Sequence, residues 1–257
     1  MMSERTNTKS INTLAYVGLR DYNTRPMGIR TELKIQYLRQ VFDGPEELFL
    51  DLEKITHMQD VSKGQLIAGP QINCDNIYIL KKGAINTYFV YAGKKIIVDT
   101  LKPGDIFGDI NGSGASSGTC DEMPFVEARE DSVLSITNSR SLYRVMQKYP
   151  ELSIQILRNV VSRLARAERK IQDLALRPVS ERIVRELTRL AEINGENAPS
   201  FYRLDGIITH EQLAMMVGAT RETVTKALTF LKSRGIVNIQ KNHYVINKQM
   251  TQPSLRG

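Results

Sequence analysis

The sequence predicts an α+β chain: an N-terminal antiparallel β-barrel, one long helix and a C-terminal winged helix-turn-helix. Three observations carry this. Short alternating apolar runs fill the stretch from Ile55 to Ile136, apolar residues then recur at steps of 3 and 4 from Pro150 to Leu176, and the segment THEQLAMMVGATRETVTKALTFLKSRGI follows. The first is a strand period, the second a helical one, and the third has the spacing of two tightly crossed helices.

Residues 1–32 are polar and mixed, with no sustained period, and read as an N-terminal extension. TELKIQYLRQV, from Thr31 to Val41, has the spacing of a short helix. Pro45, tolerated in a first helical turn, precedes a second one through Leu52. The barrel runs are NIYIL, AINTYFVY, KKIIVDTL, FVEA and SVLSI, with turns at Gly64, Gly83, Ala92-Gly93 and Pro103-Gly104-Asp105. Several short strands at this spacing make a sandwich or barrel rather than a parallel sheet. Residues 33–149 are therefore assigned to the barrel.

Residues 150–176 form the long helix, spanning roughly 40 Å at ~1.5 Å per residue. Ile154, Leu157, Val161, Leu164, Ile171 and Ala175 make a heptad seam interrupted only at Glu168. A stripe of two positions in seven, with Arg158, Arg163, Arg166, Arg169 and Lys170 elsewhere, fits a two-fold helix pair. Burial against the helix's own barrel is the alternative. A proline disfavours helical conformation in the residue before it, so Arg177-Pro178 marks a boundary and 177–257 is the last domain. A helix from Ser180 to Ile193 ends at Asn194-Gly195, and GENAPSFYRLDG reads as a loop.

Thr209 and Gln212 have the spacing of a capping box that opens a short helix, buried through Leu213, Ala214 and Val217. Gly218 supplies a left-handed turn and Thr220 caps the second helix, whose inner face is Val224, Ala227, Leu228 and Leu231. Its outer face is Arg221, Glu222, Thr225 and Lys226. Arg can grip the O6 and N7 of guanine, Glu can accept from the N4 of cytosine, and a Thr can touch a thymine methyl. Lys232 and Arg234, near the helix end, suit phosphates. IVNIQ, a Lys241-Asn242 turn and HYVI then form a wing. Double-stranded DNA is the expected partner. The net charge of +7 agrees, and 12 Lys/Arg against 7 Asp/Glu between Arg177 and Gly257 hold +5 of it.

Two cysteines, Cys74 and Cys120, allow neither a disulfide scaffold nor a four-cysteine metal or cluster site within one chain. They leave a redox pair as one reading and two ordinary thiols as the other. No apolar run approaches the ~20 residues of a membrane span, and MMSERTNTKS lacks an apolar signal core. The expectation is a cytoplasmic protein with no membrane partner. No triad, metal cluster or P-loop supports an enzyme. The alternative function is a redox or small-molecule sensor that signals mainly through a protein partner.

The order of parts, the glycine-marked barrel reaching KPGDIFGDI and the helix RETVTK resemble the CRP/FNR superfamily of bacterial transcription regulators over roughly residues 40–250. The resemblance implies a cyclic-nucleotide-binding-like jelly roll, a homodimer on a palindromic promoter site, and recruitment or blocking of RNA polymerase. It places Arg221, Glu222 and Lys226 at base-reading positions, the Arg-Glu pair being similar to members that read TGTGA-like half-sites. The effector pocket implied by the resemblance comprises Gly108, Asp109, Glu122, Met123, Ala167 and Glu168. Members that bind cyclic nucleotides carry Gly-Glu where this chain has Gly108-Asp109, and Arg-Ser where it has Glu122-Met123. A carboxylate facing a cyclic phosphate repels it, so cyclic AMP is disfavoured and no cofactor is identified. Iron–sulfur members need N-terminal cysteines, and none precedes Cys74.

Overall fold

Among the described residues the stretch of alternating runs holds eight strands: β1 His57–Val61, β2 Leu66–Ala68, β3 Asn76–Lys82, β4 Ile85–Tyr91, β5 Lys94–Leu101, β6 Ile106–Gly108, β7 Phe125–Ala128 and β8 Ser132–Asn138. The structure, a computed structural model, describes residues 27–70, 72–73, 76–109, 123–240 and 242–250. Two four-stranded sheets form, in the orders β1-β8-β3-β6 and β2-β7-β4-β5, and every pair whose register is defined is antiparallel.

Strand β3 shows how the layers are made. Side chains alternate across a strand, so Tyr78 and Leu80 point one way and Ile77 and Ile79 the other. Tyr78 and Leu80 enter a core shared by both sheets, with Val61, Ile67, Ile85, Leu101, Phe107, Val126 and Leu134. Tyr78 stacks on Phe107 there with ring centroids 5.0 Å apart. Ile77 and Ile79 join Ile106 under a helical layer. That layer comprises α1 Met27–Arg39, α2 Glu46–Ile55, α3 Ser139–Lys148 and the start of α4 Pro150–Leu176, through Leu38, Leu52, Leu142, Leu152 and Ile156 among others. A strand buried on both faces has to be apolar throughout, which is why NIYIL has no polar alternation.

Helix α3 is absent from the sequence reading. It has only two buried residues, Leu142 and Val145, and its start is fixed by Asn138, whose Oδ1 accepts from the Ser141 N–H at 2.9 Å. Helix α4 is pinned to the β-domain by Asn159. Its Oδ1 accepts from the Ile106 N–H at 3.0 Å and its Nδ2 donates to the Gly104 carbonyl at 2.9 Å. Gln155 does the same for Asp43, bonding both its N–H and its carbonyl at 2.7 Å.

Lys81 interrupts the pattern. Leu80 pairs with Leu134 and Lys82 with Val133, so Lys81 is the extra residue of a β-bulge. Its side chain is buried, its Nζ has no hydrogen-bond acceptor among the described residues, and burial pushes the ammonium pKa down to about 7.

The chain divides into two compact units. One runs to Thr87 and adds Thr100–Ser162, and the other joins Tyr88–Asp99 to Arg163 onward. In the second unit, Arg166 on α4 grips Asp99 of β5 through two nitrogens, each at 3.1 Å. Pro178 caps α5 Val179–Asn194, so the break falls where the proline forces it. There follow β9 Gly195–Asn197, β10 Phe201–Asp205, α6 His210–Val217, α7 Arg221–Ser233, β11 Val237–Gln240 and β12 His243–Asn247. The loop expected at GENAPSFYRLDG is instead the β9–β10 hairpin, which extends the wing into a sheet ordered β11-β12-β10-β9. Backbone pairing of β10 with β12, and burial of Leu204, hold it there.

Candidate nucleic-acid interface

The helix-turn-helix is built by local chemistry. Thr209 Oγ1 accepts from the Gln212 N–H at 3.1 Å, and Gln212 Oε1 accepts from the Thr209 N–H at 3.0 Å, closing the capping box. Helix α6 ends at Gly218 with φ +65°, and the Ala219 N–H closes onto the Ala214 carbonyl at 3.0 Å. Thr220 Oγ1 then caps α7 by accepting from the Thr223 N–H at 3.2 Å. Leu213, Ala214 and Val217 face Val224, Leu228 and Leu231, all buried, with Ala227 half-buried beside them.

Arg221, Glu222, Thr225 and Lys226 remain exposed on the opposite face of α7. The backbone N–H of Glu222 and the Thr220 hydroxyl hold the Glu222 carboxyl below its usual range, so it is an acceptor at neutral pH. Thr225 donates its hydroxyl proton to the Arg221 carbonyl at 2.9 Å. Its oxygen lies 2.8 Å from His210 Nδ1, which must therefore carry the hydrogen of that bond. Thr225 is thus locked, with its methyl the part left free of internal bonds. His210 is a neighbour that sequence reasoning missed, since the pair is 15 residues apart. Lys232 and Arg234 are exposed at the far end of α7, the Arg234 guanidinium 5.6 Å from the Phe230 ring centroid.

Along α4 the residues expected to form the seam stand clear of the chain's own core. Leu152 and Ile156 are buried, whereas Ile154, Leu157, Val161, Leu164 and Ile171 are 52–65% exposed. Glu168 and Ala175 are exposed with them.

Of the expected effector residues, Gly108 has φ +101° and lies so close to β3 that a Cβ would stand 2.1 Å from the Asn76 carbonyl oxygen. Asp109 is buried, and its N–H donates to the same carbonyl at 3.0 Å. Met123 and Ala167 are half-buried and Glu168 exposed. Glu122, Cys74 and Cys120 lie outside the described residues.

Residues 58–149 match the cyclic nucleotide-binding domain family, and residues 181–250 match the Crp-like helix-turn-helix domain. A global nitrogen regulator of Synechocystis is 27% identical over 191 residues, 74% of this chain and 84% of the relative. A CRP-like cAMP-activated global transcriptional regulator of Mycobacterium tuberculosis is 26% identical over 209 residues, 80% of this chain and 92% of that one. Among solved structures, CooA from Carboxydothermus hydrogenoformans superposes with a TM-score of 0.66 at 22% identity, over 85% of this chain and 94% of its own. The c-di-GMP-responsive regulator CLP of Xanthomonas campestris gives 0.67 at 18%, over 79% and 99%. These two likenesses are of fold.

Proposed function

We propose, starting from a chain that belongs to the CRP/FNR superfamily of bacterial transcription regulators, that this DNA-binding regulator acts as a cytoplasmic homodimer on a palindromic promoter site. Helix α7 enters the major groove. The carrying observation is its outer face, where Arg221, Glu222, Thr225 and Lys226 are exposed while Val224, Leu228 and Leu231 on the other side are consumed by the core. Thr209 and Thr220 fix the helix starts that approach the DNA. The exposed apolar stripe of α4 supports pairing with a second copy, which sets two copies of α7 about 34 Å apart, one turn of DNA. Bound near a promoter, such a dimer recruits or blocks RNA polymerase. Among the described residues no helix is long and apolar enough to cross a membrane.

Arg221→Ala and Glu222→Ala are each expected to cost roughly 1–3 kcal/mol at the cognate site and to relax preference at one base pair. Lys232→Ala and Arg234→Ala should weaken cognate and random DNA alike. Gel shifts on both kinds of duplex make the distinction, and equal losses on both for Arg221→Ala would remove it from base reading.

The sensor domain keeps the fold of a cyclic-nucleotide binder without the chemistry that holds a cyclic phosphate. By the sequence resemblance, Glu122 and Met123 stand where cyclic-nucleotide-binding members carry Arg-Ser, and Asp109 is one methylene shorter than their glutamate. Titration calorimetry with cyclic AMP should therefore give no heat of binding. A micromolar isotherm would overturn this part of the reading while leaving the DNA interface intact.

A further inference from the structure

The corner of the helix-turn-helix is held by two cations that reach it from other helices. Lys170 of α4 donates through Nζ to the Met216 carbonyl. Arg182 of α5 donates through one guanidinium nitrogen to the Val217 carbonyl at 2.5 Å and to the Gly218 carbonyl at 3.3 Å. These carbonyls end α6, where a helix leaves acceptors unpaired and its dipole favours positive charge. The glycine stop at Gly218 closes only onto the Ala214 carbonyl, so the acceptors at Met216, Val217 and Gly218 are met by two long side chains brought from 46 and 35 residues away rather than by the turn itself.

Packing at the same corner is equally close. A Cβ on Gly218 would stand 2.6 Å from Leu174 Cδ2 of α4, so the turn comes close to that side chain, and its φ of +65° favours glycine. The joint between α4 and α5 is braced too. Asp173 accepts from Arg177 at 2.8 Å and lies 3.3 Å from the Arg185 guanidinium, while Arg177 reaches Glu181 at 3.0 Å. Lys170 directly precedes Ile171, a seam residue, so the grip on the DNA-binding corner and the contact with a second copy lie on adjacent residues of one helix.

We propose that Lys170 and Arg182 are positioning residues that fix the recognition helix relative to the α4 axis, and so set the half-site spacing the dimer accepts. This rests on the dimeric reading above. Neither side chain touches DNA in this scheme. Each acts through the three carbonyls that lead into α7.

The test uses the full chain and the half-site it selects from a random duplex library. Fluorescence anisotropy is measured on duplexes with one half-site, and on duplexes with two whose separation changes one base pair at a time. Wild type should show a single sharp optimum of spacing. Lys170→Met and Arg182→Met should keep single-half-site affinity but lose that optimum, and Lys170→Arg, which still donates, should retain it. Methionine variants that keep the wild-type spacing profile overturn the proposal, as do variants whose single-half-site affinity falls in parallel, which would mark a loss of fold. Wild type indifferent to spacing would overturn the dimeric reading and this inference with it.

Discussion

Leu164→Asp is expected to yield a monomer that no longer binds its operator specifically. Leu164 is 56% exposed in the single chain, in line with Leu157, Val161 and Ile171, which are exposed with it, whereas Leu152 and Ile156 are buried. Burying a leucine contributes roughly 1.5–3 kcal/mol, and a two-fold interface loses it twice, once from each copy. Two aspartates brought together across the axis add like-charge repulsion and desolvation. A monomer holds one recognition helix, so the gain from engaging both half-sites at once disappears. Light scattering and a gel shift on the same sample check the two halves of this result. A Leu164→Asp protein that remains dimeric and bound would place the dimer contact elsewhere.

Glu168 sharpens the same point. It interrupts the apolar heptad and is exposed in the single chain, so pairing of α4 would set it near its symmetry mate. A polar residue at one seam position costs stability but can select register. Of the neighbouring cations, Arg166 is engaged by Asp99, while Arg169 is exposed beside it.

What was legible in the sequence was local. The capping box at Thr209, the stop at Gly218 and the cap at Thr220 involve residues three or four positions apart, and each is formed as their spacing requires. The apolar strand runs were legible because burial on two faces leaves a continuous signature in β3. The β9–β10 hairpin was not, because β9 is three exposed residues, Gly195–Asn197, held by main-chain bonds that carry no side-chain signal. The contacts of Lys170 and Arg182 were not legible for a related reason. Lys170 looks like a solvated lysine until the fold brings Met216 to it from 46 positions away, and nothing between them announces the meeting.

Lys81 is the clearest case of a property created by the fold, and Lys81→Met carries the second large prediction. In the sequence it follows NIYIL and leads into a glycine turn, where a lysine is ordinarily wet. The bulge on β3 turns it inward instead, leaving Nζ buried and without an acceptor among the described residues. Its pKa falls from 10.5 in the unfolded chain to about 7 in the fold, because burial penalises the ammonium. Below pH 7 both states hold the proton, and folding must bury a charge. Between about 7 and 10.5 the unfolded chain binds more protons than the fold, so stability rises with pH across that window; above it the penalty is gone. The full displacement corresponds to on the order of 5 kcal/mol between the two plateaus. Methionine keeps an unbranched, flexible stem and carries no charge to bury. Lys81→Met should therefore be more stable than wild type by several kcal/mol at pH 7. Urea denaturation of the two proteins from pH 6 to 10 should show that advantage shrinking as wild type gains stability. Curves that stay parallel across the whole range would mean that Lys81 keeps its proton through a contact with solvent, and that its burial costs the fold nothing.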